Sequence, residues 1–200
     1  MRPKLLLATN NQGKVLEYKS LLHDLPYELV TLAEQGITTV VSEEGESLEE
    51  NARLKATVLA AQSQLLTLAD DSGLEVDALD GEPGRLSARY AGEGASDRDR
   101  FNHLLTRLKS VPEDKRSARF RCIIAIATPD GRVEFCSGEC HGFITFAPRG
   151  EHGFGYDPVF YLPELGKTMA ELPLSLKNQV SHRGQAARQV YRVLEKLRGQ

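Results

Sequence analysis

Apolar residues fall along this chain in runs of two different periods, separated by polar and glycine-rich stretches, and the alternation predicts the elements. Lys4 to Ala8 is an almost unbroken apolar run that predicts a buried strand, ending in Thr9-Asn10-Asn11-Gln12-Gly13. Val15, Tyr18, Leu22 and Leu25 then recur at helical spacing, predicting a helix from about Lys14 that Pro26 stops. Glu28 to Leu32 predicts a second strand. Ser47-Leu48-Glu49-Glu50 has the form of a capping box, in which serine and glutamate satisfy each other's backbone amides at a helix start. That helix is predicted to run to about Leu66, with Leu48, Ala52, Ala56, Leu59 and Ala60 on one face. Thr67 to Ala69 predicts a short strand that ends at Asp70-Asp71-Ser72-Gly73. A helix over Ser96 to Lys109 follows, with Phe101, Leu104, Leu105 and Leu108 inward. Phe120 to Thr128, the turn Pro129-Asp130-Gly131 and Val133 to Cys136 predict a hairpin, which His141 to Phe146 extends as a further strand. The last helix is predicted from Gly184 to Leu197, buried along Ala187, Val190, Tyr191, Leu194 and Leu197. Strands alternating with helices early and a meander late predict an α/β fold with a mixed sheet, and with no repeat or linker the whole of 1–200 is expected as a single domain.

Composition narrows the function. With 40% hydrophobic and 26% charged residues in 200, the chain has globular averages, which excludes disorder and fibrous repeats. Its 25 basic and 28 acidic residues leave a net charge of -3, so no general attraction to nucleic acid or an anionic membrane is expected. The longest strongly apolar run, Cys122 to Ala127, is far short of the ~20 residues of a bilayer span. Met1 to Lys4 leads into too short an apolar run for a signal-peptide core, and three cysteines make an odd number for a disulfide framework. The expectation is a cytoplasmic protein.

Polar loops at strand ends are where α/β sheets place ligands, and four stretches qualify. Thr9, Asn10, Asn11, Gln12, Gly13 and Lys14 lie between a strand and a helix, where backbone amides can receive phosphate oxygens and Lys14 adds a positive charge. The plain alternative is an Asn-capped turn. Asp70 and Asp71 are adjacent on a predicted strand end and so point to opposite faces; one carboxylate there could hold Mg²⁺ or take a proton from water, against the alternative of a polar turn. Gly153-Phe154-Gly155-Tyr156-Asp157-Pro158 offers a stacking platform and an acid that can read donors on a base edge, or else a tight turn anchored by buried aromatics. Ser181-His182-Arg183-Gly184 opens the last helix, with the serine as a cap or with His182 and Arg183 as donors to a nucleobase carbonyl or phosphate. Cys136, Cys140 and His141 lack a second ligand pair for zinc. Lys115, Arg116, Arg119 and Arg121 suggest a solvated strand edge, and Arg188, Arg192 and Lys196 the wet face of the last helix.

Taken in order, Thr9 to Lys14, Glu50-Asn51-Ala52-Arg53-Leu54-Lys55-Ala56, Ala69 to Gly73, Ser87-Ala88-Arg89-Tyr90-Ala91-Gly92, Phe154 to Pro158 and Ser181 to Gly184 closely resemble the inosine triphosphate pyrophosphatase family, from the first strand to the last helix. The resemblance implies hydrolysis of dITP, ITP and XTP to the monophosphate and pyrophosphate with Mg²⁺. It also implies a long mixed β-sheet flanked by helices in two lobes, an active site in the cleft between them, and a homodimer. By position, Asp71 matches the catalytic acid, as general base and metal ligand, and Thr9 to Lys14 the phosphate loop. Ser72 matches a substrate contact; Phe154, Gly155, Tyr156 and Asp157 match the base-stacking and recognition segment. Lys177, His182 and Arg183 match the remaining nucleotide contacts, with Lys55 and Arg89 as further ones. The family's second metal carboxylate lies in a pattern like Glu-Glu-Thr-Gly, but here the segment reads Ser42-Glu43-Glu44-Gly45-Glu46, one residue shorter, which leaves Glu43 ahead of Glu44 as that ligand.

A donor from His182 or Arg183 facing the 6-oxo group of hypoxanthine or xanthine would disfavour adenine by ~1–3 kcal/mol. Two other functions fit the same residues: a Maf-like pyrophosphatase for modified pyrimidine nucleotides, and a nucleotide-binding sensor without turnover. The acidic Glu43-Glu44 and Asp71 weigh against the sensor, because extra negative charge does not help a pure phosphate binder without a metal.

Overall fold

The computed structural model describes residues 2–198. Its strands are β1 (Lys4–Leu7), β2 (Glu28–Thr31), β3 (Leu66–Val76), β4 (Pro83–Gly84), β5 (Ser117–Ala127), β6 (Val133–Ile144), β7 (Phe160–Leu162) and β8 (Lys167–Thr168). The α-helices are α1 (Gln12–Leu21), α2 (Leu48–Ser63), α3 (Asp97–Arg107), α4 (Leu174–Val180) and α5 (His182–Arg198). The strands form one sheet in the order β2-β1-β3-β5-β6-β7-β8, with β4 paired to β3. β1 runs parallel to β2 and β3, whereas β6–β7, β7–β8 and β3–β4 are antiparallel, so the sheet is mixed as the sequence predicts.

The chain divides into two compact units, neither of them continuous in sequence. The first comprises Met1–Asp71, Cys122–Gly138 and Arg183–Gln200. Strand alternation gives it two apolar faces. Leu5, Leu7, Leu68, Ile124 and Ile126 pack with Val15 and Tyr18 of α1 and Ala187, Val190 and Leu194 of α5. Leu6, Ala69, Ile123 and Ala125 pack on the other face with Ala52, Ala56 and Leu59 of α2. The second unit, Ser72–Arg121 and Glu139–His182, has one core in which Phe101, Leu104 and Leu108 of α3 meet Leu74, Phe120, Tyr156 and Phe160.

Several elements differ from the sequence expectation, each for a physical reason. α1 begins at Gln12, two residues before Lys14, because the Asn11 side chain accepts from Lys14 N and caps it; it ends at Leu21, ahead of Pro26. The capping box at α2 is half formed: Ser47 accepts from Glu50 N at 3.1 Å, but the Glu50 carboxylate turns to Glu46 N at 2.6 Å. α2 stops at Ser63, and β3 runs straight through Asp70-Asp71-Ser72-Gly73 rather than ending there. Gly73 permits this, since a Cβ on it would lie 2.5 Å from the Gly84 carbonyl oxygen of the paired strand. The strand expected from His141 is the continuation of β6. Tyr191 is 49% exposed and not in the buried face of α5. Arg116 immediately precedes β5 and is 1% exposed, its guanidinium donating to the carbonyls of Ile144, Leu108 and Thr145 at 2.7–2.8 Å. The solvated edge predicted for it is therefore wrong. Among the described residues no helix is long and apolar enough to cross a membrane.

Candidate active site

β3 supplies the two acids, and the pleat sends them to opposite faces of the first unit. Asp71 turns toward α2. Its Oδ2 accepts from Asn51 Nδ2 at 3.1 Å and its Oδ1 from Lys55 Nζ at 3.4 Å. Asn51 and Lys55 are one helical turn apart, which is why one helix reaches both carboxylate oxygens. Lys55 Nζ also donates to Glu43 Oε1 and to the Asp70 carbonyl, each at 2.7 Å. Asn51 Oδ1 accepts from Gly45 N at 2.8 Å, tying the loop that carries Glu43 to the same helix. Glu44 is engaged elsewhere, accepting from Ser42 Oγ at 2.8 Å. Burial pushes the Asp71 carboxyl above its ordinary pKa despite the Lys55 and Lys14 ammonium groups. Burial presses the Lys55 ammonium the other way, but Asp71, Glu43 and Asp70 together hold it above its usual value.

Asp70 turns toward α1 and α5. Its Oδ1 lies 3.0 Å from Lys14 Nζ, and its Oδ2 3.3 Å from Arg183 Nη2. Arg183 Nη1 reaches Glu17 Oε2 at 2.7 Å. Burial alone would raise the Asp70 pKa, but Lys14 and Arg183, with Lys55 behind them, hold the carboxyl well below the carboxylate range. Arg183, expected to face a base, is thus 2% exposed and engaged with two carboxylates. Asn10, Asn11 and Gln12 are exposed ahead of Lys14; Thr9 Oγ1 accepts from Asn11 N at 3.2 Å.

The remaining predicted residues lie in the second unit. The Asp157 carboxylate accepts from Phe154 N at 2.9 Å and pairs with Lys177, both side chains being almost fully buried. Gly153 sits at φ +75°, and a Cβ there would fall on the Asp157 carboxylate. Tyr156 is 4% exposed and its hydroxyl donates to the Ser87 carbonyl at 2.8 Å, so its ring anchors the loop. Phe154 is half-buried with Lys177 Nζ 5.0 Å from its ring centroid. Gly155 N donates to Asp97 Oδ2 at 2.7 Å. His182 stacks on Phe120, ring centroids 4.6 Å apart and 13° from parallel. Ser72 and Arg89 belong to this unit as well.

Sequence reasoning missed Glu17, Asp97, the role of Asn51 as the link between Asp71 and the Gly45 loop, and the helix α4 that carries Lys177. Only Asn51 left a signal, standing four residues before Lys55 on one helical face. Among the described residues no three His, Cys, Asp or Glu side chains cluster as a metal cage. Glu43 and Asp71 instead share one ammonium, and two carboxylates completed by water or phosphate are a donor set that Mg²⁺ accepts. Cys136 and Cys140 are buried free thiols, pushed up by that burial to about 12 and about 11.

Comparison with known proteins covers almost the whole chain. A dITP/XTP pyrophosphatase of Geobacter sulfurreducens is 52% identical over 183 residues, covering 92% of each chain. One of Desulforamulus reducens is 50% identical over 194 residues, covering 97% of this chain and 96% of the relative. The solved structure of a HAM1 protein from Coxiella burnetii superposes with a TM-score of 0.87 at 40% identity, covering 97% of this chain and 99% of that one. The Ham1 family pattern matches residues 5–193, and the chain belongs to the Ham1 family.

Proposed function

We propose that this protein hydrolyses the non-standard purine nucleoside triphosphates dITP, ITP and XTP to the monophosphate and pyrophosphate. The observation that carries the reading is the buried Asp71 carboxylate, raised in pKa and joined to Glu43 through the Lys55 ammonium. It is supported by family membership and by the dITP/XTP pyrophosphatase relatives at 50–52% identity.

Asp71 is assigned as the base. A water oxygen attacks the α-phosphorus, its proton passes to Asp71, and the bond to the bridging oxygen breaks to release pyrophosphate. A carboxyl whose pKa lies above the ordinary value is the better proton acceptor. Glu43 and Asp71 are the residues that would hold Mg²⁺, which when bound supplies positive charge to the phosphate oxygens. Lys14 and the backbone amides at the start of α1 are assigned to the phosphates, where negative charge grows as the bond breaks. Lys55 keeps the two carboxylates together. Phe154 is assigned to the base as a flat face, with Asp157 and Lys177 holding its loop. A homodimer in the cytoplasm completes the proposal.

Product analysis tests it. The chain is incubated with ITP, dITP, XTP, GTP, dUTP and dTTP, with and without Mg²⁺, and both phosphorus products are identified. Monophosphate and pyrophosphate from the 6-oxopurine triphosphates, only with a divalent ion, is the expected result. Preference for the pyrimidines would favour the Maf-like activity, inorganic phosphate a phosphohydrolase, and no product a sensor.

A further inference from the structure

A lysine serves a phosphate best when its ammonium is already fixed, because its flexible stem otherwise loses rotamer freedom on binding. Lys14 is fixed. Its Nζ lies 3.0 Å from Asp70 Oδ1, with the Lys14 side chain 14% exposed and that of Asp70 0% exposed. Asp70 is braced in turn: Oδ2 accepts from Arg183 Nε at 3.4 Å and Nη2 at 3.3 Å, and Arg183 Nη1 donates to Glu17 Oε2 at 2.7 Å. Glu17 follows Lys14 by one turn of α1, so the chain of charges starts and closes on the same helix.

The Asp70 carbonyl also accepts from Lys55 Nζ at 2.7 Å. A single residue of β3 therefore fixes two lysines, one by its side chain and one by its backbone. A buried network of this kind is a weak source of stability, since desolvating the ions cancels much of their attraction. What it supplies that apolar packing cannot is an ammonium in one place, with a carboxylate oxygen engaging only part of a group that carries three donors.

We infer that Asp70 is the positioning residue for Lys14, holding its ammonium toward the nucleotide phosphates, with Arg183 and Glu17 as the brace. This rests on the reading, given above, that Lys14 meets those phosphates.

The test is a double-variant cycle. Wild type, Asp70→Asn, Lys14→Met and the double variant are assayed for pyrophosphate release from ITP, with thermal melting alongside. Misplacing the ammonium in Asp70→Asn is expected to lower kcat/KM by on the order of 10²-fold. In the Lys14→Met background the same change is expected to cost no more than about twofold, because there is no ammonium left to place. Equal losses in both backgrounds would overturn the inference, as would an Asp70→Asn protein within a few-fold of wild type. If Asp70→Asn does not melt cooperatively, Asp70→Glu takes its place in the same cycle. It keeps a charge for Arg183 but shifts the oxygens by one methylene, and the same two outcomes decide. A wild-type chain that releases no pyrophosphate from any nucleotide marks a different failure, that of the proposed function itself.

Discussion

Two neighbouring aspartates of β3 are indistinguishable in composition and opposite in circumstance. Asp70, between Lys14 and Arg183, is held ionised; Asp71, buried against Asn51 and a shared lysine, is pushed toward its neutral form. The alternation of a strand was enough to read that the two part company, and the family pattern singled out Asp71. Nothing local could reveal what faces Asp70, because Arg183 is 113 residues away and its other partner, Glu17, lies 166 residues from it. Asp71→Asn separates chemistry from fold. It keeps the shape and the Lys55 contact but removes the basicity, so turnover is expected to fall by roughly 10²–10⁴-fold. A carboxyl whose folded pKa is raised contributes stability below its unfolded pKa and loses it as pH rises through the folded value, so the ionised form weakens the fold at neutral pH. The variant escapes that cost but sets an amide donor against Asn51 Nδ2, so it should still fold and melt close to wild type at pH ~7. A calorimetric scan beside the pyrophosphate assay checks both; a turnover near wild type would remove Asp71 from the base role.

Among the elements, the helices and hairpin that bury a periodic face were the readable ones, and β3 was not. A run of Asp-Asp-Ser-Gly looks like a turn because its polar groups have no local partners; it remains a strand because α1, α2 and α5 supply them and Gly73 admits the Gly84 carbonyl. Arg116 was misread for the same reason, since the carbonyls that satisfy it come from the end of α3 and the end of β6. α3 offers a test of how an element presents a loop. Its first residue, Asp97, accepts from Gly155 N at 2.7 Å, while the preceding Ser96 caps the helix through a reciprocal box with Asp99. Asp97→Ala frees the Gly153 to Asp157 loop, so nucleotide binding has to bear the cost of ordering it, and KM is expected to rise on the order of tenfold with kcat nearly unchanged. Ser96→Ala at the same helix end is the control: it should cost about 1 kcal/mol of stability and leave KM alone. Steady-state kinetics with denaturant melts on the two variants separates the outcomes. If KM rises equally in both, the Asp97 contact is only part of the cap.

At the scale of the whole molecule, the order of strands and helices was legible and the family resemblance implied two lobes, but which stretches of chain make up each unit was not. Each unit is assembled from separate stretches of chain, and local periodicity carries no record of which stretches meet. Stability against acid is a property at this scale, because every carboxyl whose pKa changes on folding contributes. Asp70, Glu34, Glu82, Asp99, Asp130 and Glu171 are all held below their ordinary values. Such a group adds stability that is complete above its unfolded pKa of ~4 and is lost as pH falls through its folded value. Asp71 runs the other way, being raised. Asp70 is fully buried, whereas the other lowered carboxyls are exposed or, for Glu171, half-buried and are screened by solvent, so its brace should dominate the slope. Among its partners Lys14 is the strongest attraction. Urea midpoints measured from about pH 5 to about pH 2 are therefore expected to fall steeply below pH ~4 in wild type. In Lys14→Met the Asp70 pKa returns toward its ordinary value, fewer protons are taken up on unfolding, and the slope over the same interval becomes shallower. Parallel slopes in the two proteins would mean that the buried charge network does not couple Lys14 to Asp70 in solution, and the acid sensitivity would then belong to the surface carboxyls.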